Sequence, residues 1–409
     1  MEIEERVHFQ NTHWGEGKFT TFTFKRNIFR KVWQDIDTKP IALITGPRRV
    51  GKSVLIKQLA NELINNKGID PKQILFFEFS TNDKADAIWQ VFNYFKKEVS
   101  DPRIPIFLFF DEIQYIDGYE SVIKEIYDNS KNCKIFITGS LSLSYKRNVQ
   151  ESLAGRFFSY RLFPLNFSEY LELSGEKNLE LFKDATDEKD IFKKENILSI
   201  LNAEFRKFLN YGRFPEIINF SEDQSKAYML NIISQSLNQD VFTYFEIEKP
   251  LVMNNLFNFI RENNGGLISI NKLANQLGTA NQTITLYISI LEQMGLIYLV
   301  YNSTNPLTKG QTAKKAYINS GFALLETKLD IQTAIGFAVE SYILERLLEK
   351  GEIVTFWRKR SKEIDFLVPK RKTAFEVKFR NKIPKIESKL KGFELKVISL
   401  SGDLPACLF

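Results

Sequence analysis

Three groups of residues have the types and spacing to do chemistry. The first is Gly46-Pro47-Arg48-Arg49-Val50-Gly51-Lys52-Ser53, which fits G-x-x-x-x-G-K-[ST] and runs into a helical pattern at Val54. Such a loop turns its backbone N–H groups, and the helix N-terminus behind them, toward phosphate. Lys52 would reach the β- and γ-phosphates of a nucleotide, and Ser53 would ligate Mg²⁺. The second group is Asp111-Glu112, which closes the apolar run Ile106-Phe107-Leu108-Phe109-Phe110. Asp111 would hold the Mg²⁺ shell, as a Walker-B aspartate does, and Glu112 would orient and polarise an attacking water as general base. Thr138 and Ser140 end a further apolar run, where a hydroxyl can sense the γ-phosphate or simply close a turn. The third group is Asp365, Glu376 and Lys378. Strand alternation puts Ile364, Phe366 and Val368 on one face and Asp365 on the other. It likewise sets Glu376 and Lys378 opposite Phe375, Val377 and Phe379, so the polar three converge if their strands are neighbours. An amphipathic hairpin whose acids pair with Lys378 and Arg358 would show the same pattern.

Holding the first two groups in place requires an α/β layer. Ile41–Thr45, Ile74–Phe79, Ile106–Phe110 and Lys134–Thr138 are apolar runs of strand length. Between them lie helical periodicities marked by Leu55, Leu59 and Leu63, by Trp89, Phe92 and Phe95, and by Tyr119 to Asn129. This alternation predicts a doubly wound parallel sheet with its site at the carboxyl ends of the strands.

Composition narrows the choices. A chain of 409 residues predicts two or three domains, and 44% hydrophobic with 26% charged residues is ordinary for a core-forming protein. No apolar run approaches the ~20 residues of a membrane helix. Met1 to Arg6 has neither a basic nor an apolar leader segment, and Cys133 and Cys407 read as reduced thiols, so a cytoplasmic protein is expected. His8 and His13 are the only histidines, which excludes a histidine-based metal site or triad in the body of the chain. A net charge of +6 permits contact with nucleic acid without requiring it.

Gly46 to Ser53, Phe110-Asp111-Glu112-Ile113-Gln114 and Thr138-Gly139-Ser140 resemble the AAA+-related archaeal and bacterial ATPases. Leu153-Ala154-Gly155-Arg156-Phe157, with Phe163-Pro164-Leu165 and Phe167-Ser168-Glu169-Tyr170, is similar to the segment that follows the sensor in that group. The resemblance implies that Arg156 is an arginine finger or sensor, with Arg161 as a second candidate. A surface salt bridge is the other reading of Arg156. In that group a C-terminal domain of unknown function follows the ATPase. Tyr211-Gly212-Arg213-Phe214-Pro215-Glu216 resembles its linker, with arginine in place of a second glycine. The expected boundaries are residues 1–170 for the AAA+-like core, 171–250 for a helical lid, 251–320 for a winged-helix-like domain and 321–409 for a nuclease-like domain.

In the third of these, Ser269 to Gly278, Gln282 to Met294 and Leu296 to Val300 read as helix, helix and strand. The second helix has no lysine or arginine, so phosphate attraction would have to come from Lys309, Lys314 and Lys315. A winged helix that docks the ATPase is as consistent as one that reads DNA. In the last domain, Glu340 on a helix, then Asp365, then Glu376-Val377-Lys378 is similar to the PD-(D/E)xK nuclease fold. The motif's leading proline is absent, with Ile364 in its place. The resemblance implies a restriction-endonuclease-like α/β domain in which Glu340, Asp365 and Glu376 bind Mg²⁺ and Lys378 supports the nucleophilic water.

The expectation is an ATP phosphohydrolase with ATP and Mg²⁺ as cofactors. It would act as a switch on a module that binds or cuts DNA, and as a homo-oligomer if Arg156 works in trans. The alternative is an ATP-gated sensor or scaffold whose nuclease-like module is inactive. Nothing follows the P-loop that resembles the guanine-specifying Asn-Lys-x-Asp of a GTPase.

Overall fold

Ile41–Thr45 has no polar alternation because both of its faces are covered, and it forms the wholly buried strand β1. The computed structural model describes residues 2–140, 143, 153–175, 180, 191–245, 247–303, 314–359, 362–378 and 392–399. They fall into two compact units, Met1–Leu162 with Phe242–Glu246, and Phe163–Val241 with Ile247–Phe409.

In the first unit, β1 joins β2 (Ile74–Glu78), β3 (Ile106–Asp111), β4 (Cys133–Gly139) and β5 (Phe157–Arg161) in a parallel sheet of order β2-β3-β4-β1-β5. The next strand after β1 lies at the far edge, so β1 stands where the winding reverses, and ligand crevices open at such points. The helices are α1 (Ile3–Gln10), α2 (His13–Glu16), α3 (Ile28–Gln34), α4 (Lys52–Lys67), α5 (Ala87–Tyr94) and α6 (Tyr119–Asn129). Leu75, Phe77, Leu108, Phe110, Ile135 and Ile137 share one core with Ile88 and Val91 of α5 and Ile123 and Ile126 of α6. Burying each such side chain contributes about 1.5–3 kcal/mol. The sequence offered no role for the N-terminal segment, yet it closes the exposed edge of β2. Asn11 accepts from Phe76 N at 2.7 Å and donates to Phe76 O at 2.8 Å, while Gln10 makes the same exchange with Glu78 at 2.7 and 3.2 Å.

The second unit begins with α7 (Phe167–Ser174), α8 (Ile191–Tyr211) and α9 (Glu222–Gln235). Reciprocal capping boxes, Asn166 with Glu169 and Ser221 with Gln224, open α7 and α9. Then come α10 (Pro250–Glu262), β6 (Gly266–Leu267), α11 (Ile270–Gln276), α12 (Asn281–Gln293), β7 (Ile297–Asn302) and β8 (Lys314–Ile318), with β8 antiparallel to both β6 and β7. Next are α13 (Ile331–Glu349), β9 (Thr355–Lys359), β10 (Lys362–Val368), β11 (Thr373–Lys378) and β12 (Glu394–Ser399). β9, β10 and β11 form an antiparallel meander, β12 runs parallel to β11, and β9 runs parallel to β7. A single seven-stranded sheet, β12-β11-β10-β9-β7-β8-β6, therefore continues across residue 320. α13 starts at Ile331, because the side chain of Asp330 accepts from Thr333 N and caps it. Within these expectations Glu176 to Asn178, Asp187 to Asp190, Lys309, Phe379 and Cys407 lie outside the described residues. No helix among the described residues is long and apolar enough to cross a membrane.

Candidate nucleotide site and C-terminal acidic cluster

The loop from Gly46 to Ser53 leaves the carboxyl end of β1 and enters α4. Gly51 has φ 96°, a left-handed conformation that glycine adopts without strain. Gly46 is required by space instead, since a Cβ there would stand 2.3 Å from the carbonyl oxygen of Leu162. Val50 is buried, Arg48 is half-buried, and Arg49 is exposed with φ 63°. Pro47 O and Gly46 O accept from Lys52 Nζ at 3.1 and 3.3 Å, which bends the buried lysine back over the loop. Val54 is half-buried on the first turn of α4. Arg26, which carried no sequence signal, braces the loop from behind by donating to Val50 O at 2.7 Å.

Asp111 is fully buried at the end of β3. Its Oδ1 accepts from the Thr138 hydroxyl, and its Oδ2 has no hydrogen-bond partner among the described residues. Burial first, then the charge of Glu112, pushes its pKa up to about 6, against the pull of the Ser53 and Thr138 hydroxyls. An orphaned, buried carboxylate oxygen beside Ser53 suits a divalent cation, so the residues present fit Mg²⁺. Glu112 follows in a left-handed conformation, φ 52° and ψ 40°. Its N–H donates to Thr138 Oγ1 at 3.2 Å, one carboxylate oxygen lies 3.7 Å from Lys52 Nζ, and the other accepts from Gln114 Nε2. Thr138 is thereby occupied within the acidic pair, while Ser140, half-buried, follows the end of β4.

Arg156 does not join this site. Ile41 N donates to Arg156 O at 2.8 Å, which puts the arginine at the amino end of β1. Four residues of strand, about 13 Å, separate that end from the P-loop. The guanidinium pairs with Asp128 at 3.0 and 3.1 Å, the surface salt bridge that was its other reading. Arg161 lies at the correct end, opposite Thr45 in register.

In the second unit the charges of the three predicted acids bear on one buried tyrosine. Tyr317 on β8 is completely buried, and its hydroxyl has no hydrogen-bond partner among the described residues. Burial, then the charges of Glu340, Asp365, Glu363 and Glu376, raise its pKa far above the ordinary phenol value. Asp365 accepts from Val377 N at 2.9 Å across the β10–β11 pair, and Glu376 is buried. Lys378 ends β11. These acids do not assemble into a metal centre: among the described residues no three Asp, Glu, His or Cys side chains form a group that could hold an ion. The expected phosphate contacts from β8 are also corrected. Lys315 is buried, paired with Glu363 and seated 5.4 Å from the Phe356 ring centre, and burial lowers the pKa of Lys314.

An ion pair that sequence reading did not identify lies deeper in this unit. Arg213 and Glu345 are both about 1% exposed and bond to each other, and Arg213 also donates to Leu165 O. The guanidinium stands 5.0 Å from the ring centres of Phe208 and Tyr342, and Glu345 accepts from Ser320 N at 2.8 Å and Ser320 Oγ at 2.7 Å.

Comparison with known proteins agrees with the geometry of the first unit. Residues 38–171 match the family model described as an AAA domain, and residues 202–329 match one described as a domain of unknown function. The N-terminal unit thus carries the P-loop α/β fold of the AAA ATPases. An uncharacterized protein of Haemophilus influenzae is 25% identical over 377 residues, covering 88% of this chain and 87% of that protein. An uncharacterized protein of Methanocaldococcus jannaschii is 26% identical over 385 residues, covering 90% and 82%. Among solved structures, the Aeropyrum pernix Orc1 protein in complex with DNA is 12% identical, with a TM-score of 0.33 over 78% of this chain and 93% of that one. The Hsp104–ADP complex of Saccharomyces cerevisiae is 11% identical, with a TM-score of 0.37 over 68% and 52%.

Proposed function

We propose that this protein is an ATP-hydrolysing switch whose second unit binds or acts on DNA. One observation carries the ATPase reading: Lys52, Ser53, Asp111 and Glu112 stand together at the carboxyl ends of β1 and β3, on the fold of the matched AAA family. Backbone N–H groups of Gly46 and of Arg48 to Val54 cradle the phosphates, with Pro47 shaping the turn between them, and Lys52 moves from the loop carbonyls onto the β- and γ-phosphates. Ser53 and Asp111 would hold Mg²⁺, which when bound would supply positive charge beside the phosphates. Glu112 takes a proton from the attacking water as its oxygen bonds to the γ-phosphorus, and the bond to the ADP oxygen breaks. Ser140 contacts the γ-phosphate. Arg156, half-buried and remote from its own loop, serves a neighbouring copy in a homo-oligomer. Lys52→Ala should abolish turnover by the purified chain, and undiminished hydrolysis would refute this reading.

For the second unit, α10, α11 and α12 with the β6, β7 and β8 strands support a winged-helix-like module. The helix bearing Glu340, followed by a meander carrying Asp365, Glu376 and Lys378, supports a nuclease-like one. The carboxylates around Tyr317 favour the non-cleaving version, in which the module binds DNA or a protein partner as a scaffold. DNA incubated with Mg²⁺ or Mn²⁺ separates the two. Scission lost in Asp365→Ala, Glu376→Ala or Lys378→Ala establishes the nuclease, whereas salt-sensitive binding without scission establishes the scaffold.

A further inference from the structure

The hydrolysis scheme employs Asp111, Glu112 and Ser140 and leaves their sequence neighbours Gln114 and Gly139 without a part. Gln114 is only 4% exposed. Its Nε2 donates to Glu112 Oε2, and its Oε1 lies where a side chain at 139 would begin, 2.1 Å from the position of a Cβ. Gly139 is absent from the glycines with positive φ, so its backbone does not demand glycine. The space taken by Gln114 does, together with Leu143 Cδ1 at 2.3 Å from the same point.

The Glu112 carboxylate meets a cation on one oxygen and a neutral amide on the other. Lys52 Nζ, 3.7 Å from Oε1, is the cation the phosphates will claim. Once Lys52 turns to the nucleotide, Glu112 loses that charge and keeps the amide of Gln114. A neutral donor fixes the direction of a carboxylate while depressing its basicity far less than a cation does, which is what a general base needs. Glu112 stands just past β3 with a left-handed backbone, and the amide of a buried neighbour holds its carboxylate there.

We propose that Gln114, seated in the space left by Gly139, is the positioning residue that holds Glu112 on the attacking water. This rests on the reading of Glu112 as the general base of an ATPase. It also ties the end of β4 to the base, so that a displacement at Ser140 is passed to Glu112 through one side chain.

The test is steady-state ATP hydrolysis by the full chain with Mg²⁺, alongside binding of a fluorescent ATP analogue and thermal melting. Gln114→Met keeps the length and volume of the side chain and removes the donor. It should lower kcat about 100-fold while leaving nucleotide affinity and melting temperature near wild type. Gly139→Ala should show the same split, because the new methyl displaces Gln114. In a Glu112→Gln background, Gln114→Met should have no further effect. A Gln114→Met kcat within about threefold of wild type would overturn the proposal, as would a matching loss of nucleotide affinity, the mark of a merely structural residue. Wild-type protein that binds ATP and does not hydrolyse it would overturn the ATPase reading and this inference together. Normal wild-type turnover with unaffected variants would overturn the inference alone.

Discussion

Replacing Arg213 by methionine tests the buried ion pair of the second unit. The substitution keeps a long apolar stem between Phe208 and Tyr342 and removes the guanidinium. It leaves the Glu345 carboxylate about 1% exposed, with the Ser320 N–H and the Ser320 and Tyr298 hydroxyls beside it. Breaking a buried pair by deleting one partner costs about 3–5 kcal/mol, chiefly for the uncompensated charge. Burial already raises the pKa of Glu345 despite Arg213 beside it, so without Arg213 it rises further. A carboxyl whose folded pKa is raised destabilises the fold above its unfolded pKa, and this cost vanishes once both states are protonated. The loss should therefore be largest near pH 7, shrink as pH falls through the raised folded pKa, and be gone below the unfolded value of about 4. In the pair Arg213→Met with Glu345→Leu no charge is stranded, and most of the stability should return. The assay is urea unfolding of the four proteins of the double-mutant cycle, followed by circular dichroism at two pH values. A single-variant cost under about 1 kcal/mol would refute the reasoning, as would a double variant as unstable as the sum of the singles.

Three further outcomes follow from the geometry. Tyr317→Phe removes a hydroxyl without a described partner and should leave the melting temperature equal or higher; a clear fall would mean that the hydroxyl is bonded. Asp111 holds its proton to about pH 6 in the folded state against 3.8 unfolded, so its contribution to stability falls as pH rises through that window. Asp111→Asn should flatten that part of a melting-versus-pH curve and lose Mg²⁺-dependent hydrolysis, and an unchanged curve would contradict the assignment. Asn11→Ala should destabilise the chain by about 1–3 kcal/mol by stranding the N–H and carbonyl of Phe76, as measured by chemical denaturation, and no loss would show that the edge is held otherwise.

The P-loop and its strand were legible because one short motif and one apolar run specify them locally. Asp111 and Glu112 were legible for the same reason, since a strand that ends in acids fixes where those acids emerge. The distance of Arg156 from its own loop was not legible, because a motif records order and not the end of the sheet at which a residue arrives. That depends on β5 running parallel to β1, a long-range pairing that no local pattern encodes. Tyr317 and Lys315 were hidden likewise, because they meet acids that lie some 50 residues later in the chain only when β8 and β10 enter one sheet. Arg213 stood out as a departure from a glycine pattern, but its partner Glu345 lies 132 residues away inside an unremarkable helical stretch.

The amides of Gln10 and Asn11 also bear on how this chain behaves before it is finished. β2 is a row of buried apolar residues, Ile74 to Phe77, at the rim of the sheet, the kind of strand that recruits a second copy when its edge is bare. Two side chains near the amino terminus satisfy that edge without adding a strand. They leave the ribosome some sixty residues before the strand they cover. The cover is thus waiting when its hazard emerges, and a chain shortened by a dozen residues should lose solubility before it loses its phosphate loop.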